Sequence, residues 1–235
     1  MKIDDPTAYT TTTELEVMER CLPMKGKRVL ELGCGGAAMT RKMAERFQPA
    51  EIIATEVDRV QHEKNLRIDD LPNVRFVYGG AERIDLADAS VDFVIMLKSL
   101  HHVPVVLMDQ ALTEIHRVLQ PQGVAYISEP VYAGDFNEIM RLFNDERQVR
   151  RAAFDALCRA VERGLFNNAG EIFFNAPREF RDFADFEERM LNVTHTELHI
   201  DDALYQKIRT AFNAHLGEGG AKFLVPSRVN LLQKP

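Results

Sequence analysis

Apolar positions in the first 130 residues follow two alternating rhythms. Short consecutive runs mark buried strands, and apolar residues three and four apart mark amphipathic helices. Leu15, Met18 and Leu22 predict a helix over 14–22, with Thr13 as its N-cap and Pro23 and Gly26 beyond its end. Val29-Leu30-Glu31-Leu32 reads as a strand that runs straight into Gly33-Cys34-Gly35-Gly36. Met39, Met43 and Phe47 recur every fourth residue, so a helix begins just after the glycines. Ile52-Ile53-Ala54 centres a second strand over 51–55, and a helix over 60–67 follows. Strands over 74–78 and 92–97 come next, then a helix over 105–119 that buries Met108, Ala111, Leu112, Ile115 and Leu119. A fifth strand spans 124–128. Short apolar strands alternating with helices predict a doubly wound α/β domain, its parallel sheet covered on both faces and joined by right-handed crossovers.

The pattern changes after Pro130. Eleven of the fourteen phenylalanines lie beyond it, many at helical spacing. One or two amphipathic helices are predicted over 135–163 and another over 178–191. A strand over 193–200, a helix capped by Asp201 and ending near Leu216, and a last strand over 223–232 interrupted by Pro226 complete the chain. The expected organisation is one domain over 1–235. It divides into an N-terminal helical segment (1–24), a cofactor-binding core (25–130), a helical insertion or lid (131–191) and a closing part (192–235).

Composition narrows the function. The formal charge of −7 offers no overall field for phosphate backbones, so nucleic acid is not expected as a partner. Cys21, Cys34 and Cys158 form no CxxC pair, which argues against a zinc knuckle or a redox dithiol and fits a reducing compartment. No run approaches the roughly 18 apolar residues of a membrane span, and Asp4 and Asp5 stand where a signal peptide needs an apolar run. A cytoplasmic location without membrane attachment is the expectation.

A strand, a glycine turn and a helix start together make a cofactor site, because glycines let the backbone approach a ligand closely. Gly33, Gly35 and Ala38 fit a dinucleotide fingerprint. Glu31, Gly33, Gly35 and Ala37 fit equally well an acidic-x-Gly-x-Gly-x-small loop. Glu31 decides between them: an anion beside the loop repels a pyrophosphate and suits a cofactor with a cationic end. Glu56 lies 23 residues beyond Gly33 at the end of the second strand, where a carboxylate holds both hydroxyls of an adenosine ribose. Asp58, two residues further, competes for that role.

These segments resemble the class I S-adenosylmethionine (SAM) methyltransferases, in particular the small-molecule enzymes called type 11. The matching stretches run from Val29 to Ala37, Ile53 to Asp58, Gly79 to Glu82, Val91 to Val103 and Leu112 to Val124, in the family's order. The resemblance implies a Rossmann-like sheet of seven strands in the order 3-2-1-4-5-7-6, the last antiparallel. It implies that Glu31, Gly33, Cys34 and Gly35 meet the methionine part, Glu56 the ribose, and Val57 the adenine face. The backbone around Gly80 and Ala81 would read the adenine edge, and Leu97 and Lys98 would lie near the cofactor. Two departures stand out: the third loop glycine is Ala37, and Gly80 replaces an aspartate common in relatives, a loss for which Glu82 is the candidate substitute.

Methyl transfer asks the protein chiefly to position an acceptor and exclude water, with a base only for a protonated acceptor. His101 and His102 follow the fourth strand and Glu129 ends the fifth, where a base or acceptor-orienting group belongs; each also suits a capping or loop-holding role. His195, Glu197 and His199 alternate as ligands on one strand face would, but read as a solvated edge, so no metal is expected. Arg228 is a further possible anion contact. The expected function is transfer of a methyl group from SAM to a small-molecule acceptor, yielding S-adenosylhomocysteine (SAH). The alternatives are a SAM- or SAH-binding protein without transferase activity or acting on a SAM derivative, and an NAD-dependent oxidoreductase. A methyltransferase acting on protein is a further one.

Overall fold

The computed structural model describes residues 1–192 and 198–235. Its centre is a mixed sheet built from β2 (Arg28–Leu32), β3 (Glu51–Glu56), β4 (Val74–Tyr78), β5 (Val91–Leu97), β6 (Leu119–Pro130), β7 (Asn167–Phe180) and β9 (Gly220–Gln233). Across the sheet they run β4-β3-β2-β5-β6-β9-β7. That is the predicted 3-2-1-4-5-7-6 order. β9 is antiparallel to both neighbours, while the pairs from β4 to β6 are parallel. Two short strands extend the sheet: β1 (Thr10–Thr11) pairs parallel with β7, and β8 (Leu216–Gly217) turns back on β9.

The central parallel strands β2, β3 and β5 are buried almost end to end, as crossover helices on both faces require, while the edge strand β4 is only partly covered. α1 (Glu14–Cys21) and α2 (Ala38–Phe47) cover one face with Met18, Met43 and Phe47. α4 (Met108–Val118) and α6 (Arg147–Glu162) cover the other with Leu112, Ile115 and Leu157. α3 (Arg59–Asn65) connects β3 to β4. α1 starts on a complete capping box, in which Thr13 accepts from the Glu16 N–H and Glu16 reaches back to the Thr13 N–H.

The region after Pro130 departs from the predicted plan. The span expected to be one helical insertion over 131–191 is divided by β7, which pairs with β9 from Asn167 to Phe180. Phe173 and Phe174 are both buried, on opposite faces of the sheet, so the strand's twofold rhythm reads as a plain apolar cluster. The insertion between β6 and β7 is therefore α5 (Asp135–Met140) and α6. A second helical excursion lies between β7 and β9: α7 (Phe183–Phe186), a wider π turn over 187–191, and α8 (Asp202–Asn213). Of the strand expected over 193–200, residues 193–197, including His195 and Glu197, lie outside the described residues, and 198–200 have no regular structure. Phe136, Phe180, Phe186, Phe212 and Phe223 form a third core joining α5, β7, α7, α8 and β9, with ring centroids 4.9–6.5 Å apart. Among the described residues no helix is long and apolar enough to cross a membrane.

Candidate functional site

The carboxyl ends of β2, β3 and β5 converge on the glycine loop. Gly33 and Gly35 have φ of +79° and +51°, which glycine adopts freely. A Cβ on Gly33 would lie 2.9 Å from that of Ser99, whose hydroxyl donates to the Leu32 carbonyl at 2.8 Å. The first glycine is thus required by the close approach of β5. Ala37, which caps α2 with φ +59°, holds a left-handed conformation that costs an alanine about 1 kcal/mol.

Glu56 organises the loop. One carboxylate oxygen accepts from the Gly35 N–H at 2.7 Å, and the other from the N–H groups of Val57 (2.8 Å) and Asp58 (2.9 Å). Asp58, its competitor in the sequence, instead caps α3 by accepting from Val60 and Gln61. Buried Asn65, at the end of α3, donates to the Gly35 carbonyl at 2.7 Å and contacts the Cys34 thiol at 3.4 Å. A lone asparagine late in a helix carries no sequence signal for this work. Val57 is 57% exposed beside the loop, a large apolar side chain free to pack on a ligand.

Glu31 is buried beneath the loop and accepts from the Thr40 hydroxyl at 2.6 Å. Burial pushes its carboxyl up to about 7; the Thr40 hydroxyl opposes that shift and the Glu56 charge adds to it. No cation faces it among the described residues.

On the adenine side, Ala81 is buried, and Glu82 folds its carboxylate back over Gly80, so that a Cβ at Gly80 would collide with it. The carboxylate therefore occupies the space an aspartate side chain at 80 would fill. α4 holds this segment: Gln110 donates to the Glu82 carbonyl, Glu114 accepts from the Ile84 N–H, and Arg117 donates to the Ile84 and Leu86 carbonyls. Leu97 is half-buried at the end of β5.

The catalytic candidates separate into buried and exposed groups. Glu129 is buried and gives one oxygen to the Leu100 N–H and the other to His101 Nδ1. His101 is buried too, and its Nε2 lies 3.7 Å from Glu146, which Arg150 grips at 2.6 Å. Burial alone would lower the His101 pKa, but the two carboxylates outweigh it and hold the ring above its ordinary value. Burial would likewise raise Glu129, and His101 reverses the sign. The pair thus forms an ion pair that fixes the loop after β5. His102, its ring tilted against that of His101 with centroids 4.1 Å apart, is the exposed member. His101, His102 and Glu146 bring three potential ligand atoms within 4.8 Å. Glu129 already takes one His101 nitrogen and Arg150 already neutralises Glu146, so the donor set is poor for a cation. Arg228 is spent internally, on Asn230, the Ile3 carbonyl and the face of Phe154.

Beside the loop opens a cavity of ≈ 710 Å³, within the range of small-molecule sites. α1 contributes Leu15 and Glu14, β5 leads into Lys98, α5 supplies Phe136 and Met140, and β7 supplies Arg178. His101, His102 and Glu146 reach it as well; Glu129 does not. Glu14, an ordinary first-turn acid in the sequence, is buried and accepts from Tyr126 (2.6 Å) and Ser128 (2.9 Å).

Residues 29–123 match the family described as a methyltransferase domain. The chain is 28% identical over 163 residues to a fatty-acid O-methyltransferase of Mycolicibacterium smegmatis, covering 68% of this chain and 59% of the relative. It is 30% identical over 118 residues to a demethylmenaquinone methyltransferase of Geobacillus stearothermophilus, covering 48% and 50%. The chain thus spans little more than half the length of these relatives. Its fold superposes on the YcgJ protein of Bacillus subtilis with a TM-score of 0.62 at 19% identity, covering 94% of this chain and 97% of that one.

Proposed function

We propose that this chain, whose residues 29–123 match a methyltransferase domain, is a class I SAM-dependent enzyme that moves a methyl group from SAM to a small molecule held in the cavity and releases SAH. The carrying observation is the junction of two features. A glycine loop braced by Glu56 opens at the strand ends, and an apolar-walled cavity adjoins it through Lys98 and Met39. SAM supplies an electrophilic methyl, which an in-line lone pair takes as the carbon–sulfur bonding pair leaves on sulfur. The protein's work is positioning. Glu31 faces the cationic methionine end, Gly33, Cys34 and Gly35 line it, and Glu56 takes the ribose. Val57 and Leu97 pack on the cofactor, and Gly80 and Ala81 flank the adenine. The His101–Glu129 pair sets the loop that bounds the acceptor, and His102 is the ring placed to take a proton from a protonated acceptor.

Calorimetric titration with SAM, SAH and NAD tests this proposal. Binding of SAM and SAH without NAD is expected. NAD binding in their place would transfer the loop to oxidoreductase chemistry; SAH binding without turnover on a broad acceptor panel would favour the non-catalytic alternative.

Glu82 receives the adenine amino group in place of the missing aspartate. Glu82→Ala is expected to weaken SAH by about tenfold, the loss of one charge-assisted hydrogen bond. S-inosylhomocysteine, which lacks that amino group, should bind wild type and variant alike. Equal weakening of both ligands would remove Glu82 from adenine recognition.

A further inference from the structure

The cavity is cationic in an acidic chain. Among the described residues five Lys and Arg side chains line it against two carboxylates, although the whole chain carries a formal −7. Three of the five are accounted for. Arg150 is paired with Glu146, Arg189 with Asp185 and the Glu179 carbonyl, and Lys42 is exposed. Lys98 and Arg178 remain, both half-buried. Among the described residues Lys98 Nζ makes no hydrogen bond. Among the same residues Arg178 donates to the Met190 thioether alone, at 3.7 Å, and its guanidinium lies 4.9 Å over the Phe136 ring. Burial disfavours the charged form of both groups and is the largest influence on each. Lys98 also has a φ of +57°, the kind of backbone strain that collects at functional sites.

We propose that this cavity recognises an amphipathic carboxylate, with the head group on Lys98 and Arg178 and the chain along Phe136, Met140 and Phe143. A guanidinium presents paired donors that match a carboxylate's two oxygens, and the adjacent ammonium adds a point charge. A monoanion fits better than a dianion, because Glu14 and Glu146 share the wall. Phe136, Met140 and Phe143 supply an apolar path for the chain. The head group also falls in a productive place. Lys98 precedes Ser99, which packs against Gly33, so a carboxylate held there lies beside the glycine loop. A carboxylate is ionised at neutral pH and needs no base. The inward-turned His101–Glu129 pair accords with such an acceptor.

As a statement about binding, the proposal needs no turnover; only the fate of the ligand rests on the methyl-transfer reading. The test is calorimetric titration of the full chain with dodecanoate, dodecan-1-ol, dodecylamine and dodecyl phosphate, each below its micellar concentration. Dodecanoate should bind at least tenfold more tightly than the other three. Lys98→Met and Arg178→Met should each weaken dodecanoate about tenfold and move dodecan-1-ol less than twofold. Arg178→Lys, which keeps the charge and loses the fork, should fall between; it also serves if the methionine variant fails to fold. Mass spectrometry of mixtures with SAM then separates the two ideas. Selective dodecanoate binding without methylation of dodecanoate or of any acceptor in a broad panel upholds the carboxylate site and sinks the methyl-transfer reading. Methylation of dodecan-1-ol or dodecylamine in preference to dodecanoate, unchanged by the variants, upholds methyl transfer and overturns the carboxylate site. Tighter binding of dodecyl phosphate overturns it too.

Discussion

Glu56→Ala is expected to abolish measurable binding of SAM and SAH and to lower the melting temperature by about 5 °C. The carboxylate accepts three backbone N–H groups, from Gly35, Val57 and Asp58. Removing it leaves three donors to half-exposed surroundings, at a net cost of about 2 kcal/mol, since water replaces part of each bond. In a chain of this length that is a shift of a few degrees. The binding loss is larger. A carboxylate offers about four lone-pair directions, and three are already used. A ribose diol brings two donors, so binding has to release one N–H, and the lone contact of Gly35 is the one to give. Under the proposed function Glu56 would therefore be both the ribose ligand and the latch of the glycine loop. Two charge-assisted hydrogen bonds are worth about 3 kcal/mol or more, over 100-fold in affinity. Glu56→Gln separates the roles. It can still accept from one side of the loop, so its melting temperature should lie nearer wild type, while its affinity falls nearly as far. Calorimetry and thermal denaturation on both variants make the check, and an alanine variant that binds SAH within threefold of wild type would remove Glu56 from the site.

The sequence carried the sheet further than it carried the cavity. β2, β3 and β5 are buried on both faces, so their apolar runs are unbroken and their glycine and acid punctuation stands out. The cofactor residues proposed on that half follow from position within a strand–turn–helix repeat. β7 is different. Its aromatic pair points to opposite faces of the sheet, and its order comes from a long antiparallel pairing with β9. Such pairing is tertiary and leaves no local rhythm, which is why one helical insertion was expected where two excursions flank a strand. The acceptor side inherits the same difficulty. Arg178 sits in β7, and Glu14 draws its significance from Tyr126 and Ser128, more than 110 positions away. His101 and Glu129 were placed together at the strand ends, but only the structure pairs them with each other and leaves Glu129 out of the cavity wall.

Glu31 carries the second large effect, and here stability and binding oppose each other. Its carboxyl titrates near 7 in the folded chain against an ordinary value of 4.5. Between those values the folded protein holds a proton that the unfolded chain has released, so stability falls as pH rises through this window and is level above it. The difference is about 3 kcal/mol for a fully buried group. Glu31→Gln keeps the shape and a partner for Thr40 without the charge. It should be more stable than wild type by about that amount at pH 8, and equally stable below pH 4.5. Urea denaturation at several pH values measures the gap; a gap that does not change with pH would mean that Glu31 is not a strained acid. The same substitution should weaken SAM, whose cationic methionine end would face the ionised carboxylate. A buried charge without a protein counter-ion is costly by itself and favourable once a cation arrives. Wild-type affinity should therefore decline as pH falls below 7, where binding must first expel the proton, while the glutamine variant binds weakly throughout. A single position that destabilises the free protein and strengthens the complex is what a site selected for a cationic ligand requires.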